Sequence, residues 1–205
     1  GVECTSGPLG QGAAMSVGMA IASRHLRAKI NKKLFDNKIY ALLGDGCMQE
    51  GVTIEAAAIA GHLKLSNLIW YYDKNDVQIS GSVLRSTSCD YIKMFQSMGW
   101  RVLHISNAHD HSKIRLSLKK ALQNNASPTL IIGQSIMAYG AYSLEKSAKS
   151  HGTPFDEKEY LSTKRKLGLP LDQRFYCPDV VKELFQKDLK SRQSKVQAWK
   201  KLYDK

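Results

Sequence analysis

The chain has 205 residues, and 30 Lys and Arg against 18 Asp and Glu give it a formal net charge of +12 at pH 7. That length is enough for one α/β domain with a real core but not for two full domains, and the large positive charge would attract polyanions. No nucleic-acid-binding motif accompanies the charge, no run of about eighteen apolar residues could span a membrane, and no CxxC pair indicates a zinc site.

The first recognisable feature is a glycine-rich loop from Gly7 to Gly12 (GPLGQG), which opens into a predicted helix rich in small residues between Ala13 and Ala22. Glycine in a helix costs about 1 kcal/mol relative to alanine, so such a helix is poorly favoured in isolation. We therefore expect it to pack closely against the sheet or against a cofactor loop.

Two short apolar runs, at 39–43 and 67–72, are typical of buried parallel strands. The first ends in a GDG turn that contains Asp45, and the second is followed by Asn75. Ligands of open α/β sheets bind at the carboxyl ends of the strands, so the oxygens of Asp45 and Asn75 can converge on one metal ion. Mg²⁺ prefers about six hard oxygen ligands. The carbonyl of Val77 would be a third protein ligand, so the Val77 side chain is predicted to be replaceable.

Asn75 also has a purely structural interpretation, as a residue that takes the left-handed conformation in the turn after the strand. The two interpretations are compatible, because Asn75 could adopt this turn and still direct its amide oxygen to the metal. Asp45 by itself could equally be a turn aspartate that accepts hydrogen bonds from nearby amides.

A helix is predicted from Glu50 to about Gly61, because Val52, Ala56, Ile59 and Leu63 recur at helical spacing. We expect this apolar face to lie on the sheet.

The later elements alternate between helix and strand, with a helix capped by Asp110 and a strand at 129–132. They are predicted at 90–98, 100–105, 110–122 and 129–132. This alternation predicts an α/β fold with a doubly wound, mostly parallel sheet flanked by helices. The segment 139–152 lacks periodicity and is predicted to be a loop. We assign residues 1–170 to the α/β domain and residues 171–205 to a helical C-terminal extension or linker.

Three segments together resemble the transketolases: GVECTSGPLGQG, GDGCMQEGVTIEAA and LIWYYDKNDVQISGSV. The GDG turn with the later asparagine also resembles the thiamin diphosphate motif. The resemblance implies the diphosphate domain of the thiamin diphosphate-binding fold, incomplete at its N-terminus, with thiamin diphosphate and Mg²⁺ as cofactors. The implied reaction is transfer of a two-carbon ketol unit from a ketose phosphate to an aldose phosphate.

The same resemblance implies which residues bind the cofactor. Gly7 and Leu9 match the loop that faces the reactive carbon of the cofactor, Gly46 offers a backbone amide to a phosphate, and Asn75 binds both cofactor and metal. His151 matches a family histidine near the diphosphate and the substrate, with a binding and a catalytic role.

Glu50 and Glu55 match glutamates of an acidic network that links two active sites across a dimer, although acidic residues are also common in the first turn of a helix. The glutamate that activates the cofactor belongs to a pyrimidine domain and is not in this sequence. Gln134 stands where related enzymes often carry a lysine.

Because the family has further domains and this chain begins with Gly1, we expect a fragment or one subunit of a split enzyme, inactive alone. The expected partners are sugar phosphates and either a second copy, forming a homodimer, or a chain that carries the pyrimidine and C-terminal domains. No nucleic-acid or membrane partner is expected. The cysteine pattern favours a reducing compartment, the cytoplasm. The alternative is a non-catalytic or split-subunit half of another thiamin diphosphate enzyme.

Overall fold

A computed structural model describes residues 2–204 of the chain. Within these residues the strands are β1 (Ile39–Gly44), β2 (Leu68–Lys74), β3 (Val77–Gln78), β4 (Gly81–Ser82), β5 (Arg101–Ile105) and β6 (Thr129–Gln134). Four of them form one sheet in the order β1-β2-β6-β5, and all pairings within it are parallel. β3 and β4 form a separate antiparallel hairpin. The strands predicted from the apolar runs are confirmed.

The helices are α1 (Gln11–Lys29), α2 (Asp45–Gln49), α3 (Gly51–His62), α4 (Tyr91–Ser97), α5 (His111–Leu122), α6 (Glu157–Lys166) and α7 (Asp179–Tyr203). The GDG segment is therefore the start of a short helix rather than only a turn. The described residues contain no helix that is long and apolar enough to cross a membrane.

One face of the sheet is covered by α1, α3 and α4, with Trp70 at the centre of the core. The Trp70 ring lies 4.7 Å from the ring of Trp100 and 6.0 Å from that of Phe95, measured between centroids. Its Nε1 donates a hydrogen bond of 2.8 Å to Oγ of Ser16 on α1. This polar contact fixes α1 over the centre of β2.

The opposite face of the sheet packs against α5. Ile69, Ile105 and Ile131 from three strands form a second buried cluster with Ala121 of that helix. Helices therefore flank a parallel sheet on both faces, which confirms the predicted fold class.

The packing face predicted for α3 is right for Ala56, which is buried, but wrong for its three large members. Val52, Ile59 and Leu63 are 40%, 51% and 42% exposed, whereas the helix buries small residues such as Ala57 and Gly61. The reason is close backbone approach: a Cβ built on Gly61 would lie 1.8 Å from the carbonyl oxygen of Met98. Large side chains do not fit on this face, so they are left on the outside of the helix.

Several hydrogen bonds attach the loop that contains residues 139–152 to α6, and most of them converge on the carboxylate of Glu159. Glu159 accepts hydrogen bonds from the backbone N–H of Ser143 (2.8 Å), the Ser143 hydroxyl (2.6 Å) and the N–H of Leu144. These hydrogen bonds hold the pKa of Glu159 below its usual value.

Further along the chain, Trp199 of α7 donates to the carbonyl of Leu34 at 3.1 Å. The division of the chain at residue 170 stays a prediction.

Replacing Gly61 with alanine should destabilise the protein, because the new methyl group meets a backbone carbonyl that cannot move freely. We expect Gly61→Ala to lower the free energy of unfolding by about 1–3 kcal/mol. Gly18→Ala is the matched control, since a Cβ at this position on α1 would have no atom within 4 Å. It should be neutral or stabilising by up to about 1 kcal/mol. Urea unfolding measures both, and equal stability of the two variants would contradict the close approach.

Candidate functional site

Asp45 lies at the carboxyl end of β1 and is 4% exposed. Its Oδ1 accepts a hydrogen bond of 2.5 Å from the hydroxyl of Tyr72. Its Oδ2 accepts two bonds from the loop after β2, from the backbone N–H of Asn75 (3.0 Å) and of Asp76 (3.1 Å). The parallel register, which pairs Gly44 with Asp73, brings the two strand ends together. One carboxylate thus ties the end of β1 to the loop that contains Asn75.

The Asp45 carboxylate is electrostatically uncompensated. Burial raises its pKa, and the hydrogen bonds from Tyr72, Asn75 and Asp76 lower it without cancelling the effect of burial. Among residues 2–204 no cationic side chain forms an ion pair with it. The pKa of Tyr72 is raised by burial and by its contact with Asp45, so this phenol remains a proton donor. A buried carboxylate without a counter-charge is a natural ligand for a cation.

Asn75 is held in a tight turn. Its Oδ1 accepts a hydrogen bond of 3.1 Å from the N–H of Val77, and its Nδ2 donates to Asp73 at 3.3 Å. The left-handed residue of this turn is Asp76, with φ of 63°, and not Asn75 as the structural interpretation expected. An amide oxygen has two lone pairs, so Oδ1 of Asn75 keeps one acceptor position.

Asn75, Asp76 and Val77 line one cleft of about 660 Å³. The remaining walls come from β4, from the end of β6 at Gln134, and from the loop of residues 139–152 through Lys146 and Ala148. His151 does not line this cleft. Its backbone N–H donates to the carbonyl of Ala148 at 3.0 Å, which fixes it next to the cleft wall. Its Nδ1 is buried and has no hydrogen-bond partner within the described part of the chain.

The glycine-rich loop contacts the start of α2. A Cβ on Gly46 would lie 2.9 Å from Cδ1 of Leu9, whose side chain is 52% exposed. Gly10 has φ of 80° and lies against Glu50 and Val52, so the loop also rests on the start of α3. Leu9 and Gly46 are therefore neighbours. Gly7 is exposed, and a Cβ there would meet nothing within 4 Å.

Glu50 and Glu55 lie apart from the Asp45 contacts. Glu50 is the N-cap residue of α3 and is half-buried, while Glu55 is exposed on the same helix. Neither side chain forms a hydrogen bond or an ion pair with a residue in the 2–204 range. The structure does not join them to Asp45, Asn75 or His151.

The sequence singled out Gln134 but did not predict the polar network that it forms beside Asn75 with Lys74 and Asp76. Lys74 forms an ion pair with Asp76 and donates to Oε1 of Gln134 at 3.2 Å, and Nε2 of Gln134 donates to Asp76 at 2.9 Å. Burial alone would raise the pKa of Asp76, but these hydrogen bonds and the charge of Lys74 outweigh it, so the pKa lies below its usual value. The sequence signal for Lys74 and Asp76 was their position on either side of Asn75.

Metal ligation here would depend on more than carboxylates. Residues 2–204 contain no group of three or more His, Cys, Asp and Glu side chains that could hold a metal ion. Asp45 provides one carboxylate, and Asn75 and Val77 can add an amide and a carbonyl oxygen. Such a set suits Mg²⁺, which commonly completes its octahedron with substrate phosphates and water.

Comparison with known proteins gives consistent results. The family model described as transketolase, thiamine diphosphate binding domain, matches residues 1–205. The transketolase of Bacillus subtilis strain 168 is 38% identical over 203 residues, which is 97% of this chain and 30% of that protein. This chain therefore spans about 30% of the length of that curated relative.

Two solved structures give the same result. The crystal structure of Campylobacter jejuni transketolase superimposes with a TM-score of 0.93 at 37% identity, covering 98% of this chain and 32% of that one. The transketolase of Pichia stipitis in complex with sedoheptulose 7-phosphate has a TM-score of 0.93 at 32% identity, covering 98% of this chain and 30% of that one.

Tyr72→Phe tests the hydrogen bond to Asp45. Because a buried carboxylate would lose its hydroxyl donor, we expect the free energy of unfolding at neutral pH to fall by about 1–3 kcal/mol. Tyr40→Phe is the control, since Tyr40 is 53% exposed on β1. Loss of this exposed hydroxyl should change the free energy of unfolding by less than about 0.5 kcal/mol. Equal unfolding midpoints for the two variants would show that the Tyr72 hydroxyl does not support Asp45.

Proposed function

This chain belongs to the family of transketolase thiamine diphosphate-binding domains, and from this premise we propose that it binds the diphosphate of the cofactor through Mg²⁺ during transfer of a two-carbon ketol unit. The donor would be a ketose phosphate and the acceptor an aldose phosphate, as in the pentose phosphate pathway. The observation that carries the proposal is Asp45, a buried carboxylate without a counter-charge whose position is fixed by the loop of Asn75.

The proposed Mg²⁺ ligands are the Asp45 carboxylate, the Asn75 amide oxygen and the Val77 carbonyl oxygen. Support comes from their chemistry, since all three are hard oxygens, and from the shared cleft of Asn75 and Val77. Tyr72 and two backbone N–H groups orient Asp45 before any metal arrives. Such orientation of a ligand by hydrogen bonds is typical of metal sites.

The bound cofactor would supply the reactive carbon that accepts and releases the two-carbon unit. The role of this chain is to position it. Gly46, which has no side chain, can present its N–H to a phosphate, and Leu9 beside it offers an apolar surface to the rest of the cofactor. Gly7 lies in the same loop, where its open surroundings would allow close approach of a ligand.

His151 is the proposed catalytic group of this chain. Its Nδ1 is buried and unpartnered among the described residues, although buried polar atoms are nearly always hydrogen-bonded. A phosphate oxygen or a sugar hydroxyl in the neighbouring cleft could supply that partner. His151 would then orient the substrate or exchange a proton with it at Nδ1.

Glu50 and Glu55 are proposed to act across an interface with a second chain. Both carboxylates lack partners within the described residues, and Val52 and Ile59 on the same helix are exposed. Exposed apolar side chains around polar groups are typical of interaction sites. The partner would be a second copy in a homodimer or a chain that carries the pyrimidine and C-terminal domains.

The proposed location is the cytoplasm, because the exposed thiols of Cys4, Cys89 and Cys177 are typical of a reducing compartment.

Asp45→Asn should weaken or abolish Mg²⁺-dependent binding of thiamin diphosphate in the complete protein, because it removes the charged ligand while keeping the shape. Calorimetric titration with the cofactor at fixed Mg²⁺ should show at least about tenfold weaker binding, or about 1.4 kcal/mol. Val77→Ala is the control and should bind like the parent, because only its carbonyl is proposed as a ligand. Retention of full Mg²⁺-dependent affinity by Asp45→Asn would rule out the proposed metal site.

His151→Ala should lower kcat/KM for the donor ketose phosphate by at least about tenfold, which corresponds to roughly 1.4 kcal/mol of transition-state stabilisation. The melting temperature should barely change. His104→Ala, which removes an exposed histidine of β5, is the matched control and should leave the kinetics unchanged. Parent-like kinetics of His151→Ala would make this residue a purely structural part of the loop.

A further inference from the structure

We propose that Lys74, Asp76 and Gln134 form a clamp across the carboxyl ends of β2 and β6 that keeps the Asp76 carboxylate out of the metal site and holds the backbone of the Asn75 loop on Asp45. This inference rests on the proposed Mg²⁺ site. Lys74 is the central residue of the clamp, and its role is that of a positioning residue.

The first observation is the conformation of Asp76. Its φ of 63° lies in the left-handed region, which is unfavourable for an L-residue, although Asp tolerates it better than most. In this conformation its N–H donates to Oδ2 of Asp45, and its carbonyl accepts from the N–H of Val83 at 3.1 Å. The strained residue thus provides one of the two N–H groups that join the loop to Asp45.

The second observation is that both Asp76 carboxylate oxygens are engaged. Oδ1 pairs with Nζ of Lys74, and Oδ2 accepts from Nε2 of Gln134 at 2.9 Å. Lys74 also donates to Oε1 of Gln134 at 3.2 Å, which closes a three-membered network. An isolated surface ion pair would contribute little. A closed network around a strained residue restricts both its backbone and its side chain.

The strand register explains why these residues meet. Lys74 and Gln134 are paired in the parallel ladder of β2 and β6, and the N–H of Ser135 donates to the carbonyl of Lys74 at 2.8 Å. The rigid sheet therefore presents the ammonium and the amide side by side. Asp76, two residues after Lys74, contacts both groups from its left-handed conformation.

The third observation concerns charge. The N–H of Asp76 donates to Oδ2 of Asp45 at 3.1 Å, so the two aspartates are neighbours and their carboxylates carry like charges. A released Asp76 carboxylate would be a competing hard ligand beside Asn75. Additional flexible carboxylate ligands suit Ca²⁺ better than Mg²⁺, which demands near-ideal octahedral geometry. By engaging Asp76, Lys74 prevents this carboxylate from competing with that of Asp45 and keeps the loop rigid.

The test is Mg²⁺ affinity in the complete protein, measured by calorimetry in the presence of thiamin diphosphate. Lys74→Met should weaken Mg²⁺ binding by roughly tenfold to hundredfold, as expected for removal of a residue that orients metal ligands. Ca²⁺ affinity should fall less or rise. Lys182→Met is the matched control, because it removes the lysine of an exposed Lys–Asp pair on α7. It should leave both affinities at the parent values.

The double variant Lys74→Met with Asp76→Gly distinguishes positioning from a direct role of Lys74. Glycine takes the left-handed conformation without strain and has no carboxylate, so it should restore Mg²⁺ affinity to within about threefold of the parent, that is, within about 0.65 kcal/mol. If Lys74 instead contacted the diphosphate, the double variant would stay as weak as Lys74→Met, and the clamp would be wrong. Unchanged Mg²⁺ affinity in Lys74→Met would also overturn it. A parent protein that binds neither Mg²⁺ nor the cofactor would refute the proposed function instead.

Discussion

The interaction on which the site depends is the burial of one carboxylate, Asp45, between two strand ends. Its Oδ1 accepts from Tyr72 and its Oδ2 from the N–H groups of Asn75 and Asp76. These donors come from β2 and from the loop that follows it, while Asp45 belongs to the end of β1. A parallel sheet brings both ends to the same edge, so the carboxylate acts as a link between them. The same link holds the backbone of Asn75 against the Asp45 carboxylate.

Close packing behind the sheet makes this edge rigid. Gly61 lies so near the carbonyl of Met98 that a methyl group would not fit, and Trp70 fills the core while its Nε1 binds Ser16. Protein interiors packed at this density transmit small displacements instead of absorbing them. A site made of oxygens from separate loops requires such a frame, because its geometry depends on where the strands end.

Much of this architecture was predictable from sequence. The runs before Asp45 and Asn75 identified β1 and β2, and the alternation of elements identified the parallel sheet. The hydrophobic periodicity of α3 did not predict which face of the helix is buried. This helix approaches its neighbours so closely that it buries Ala57 and Gly61 and exposes Ile59, and residue spacing alone cannot show such an approach. In the turn after β2, the structural interpretation placed the left-handed conformation at Asn75, whereas in the structure Asp76 adopts it.

The role of Lys74 was not predictable for a different reason. Its contact with Gln134 depends on the register of two strands that are far apart in the chain, and a shift of one residue would turn the side chain to the other face. Among residues 2–204 the buried unpartnered side-chain atoms are on Thr53, Asn67 and His151. Asn67 still donates through Nδ2 to the carbonyl of Ala20, and Thr53 is enclosed in the packing of α3. His151 differs from both because it is on a loop beside an open cleft, where a ligand can provide the missing hydrogen bond. An unsatisfied polar atom therefore indicates function only when its surroundings can admit a partner.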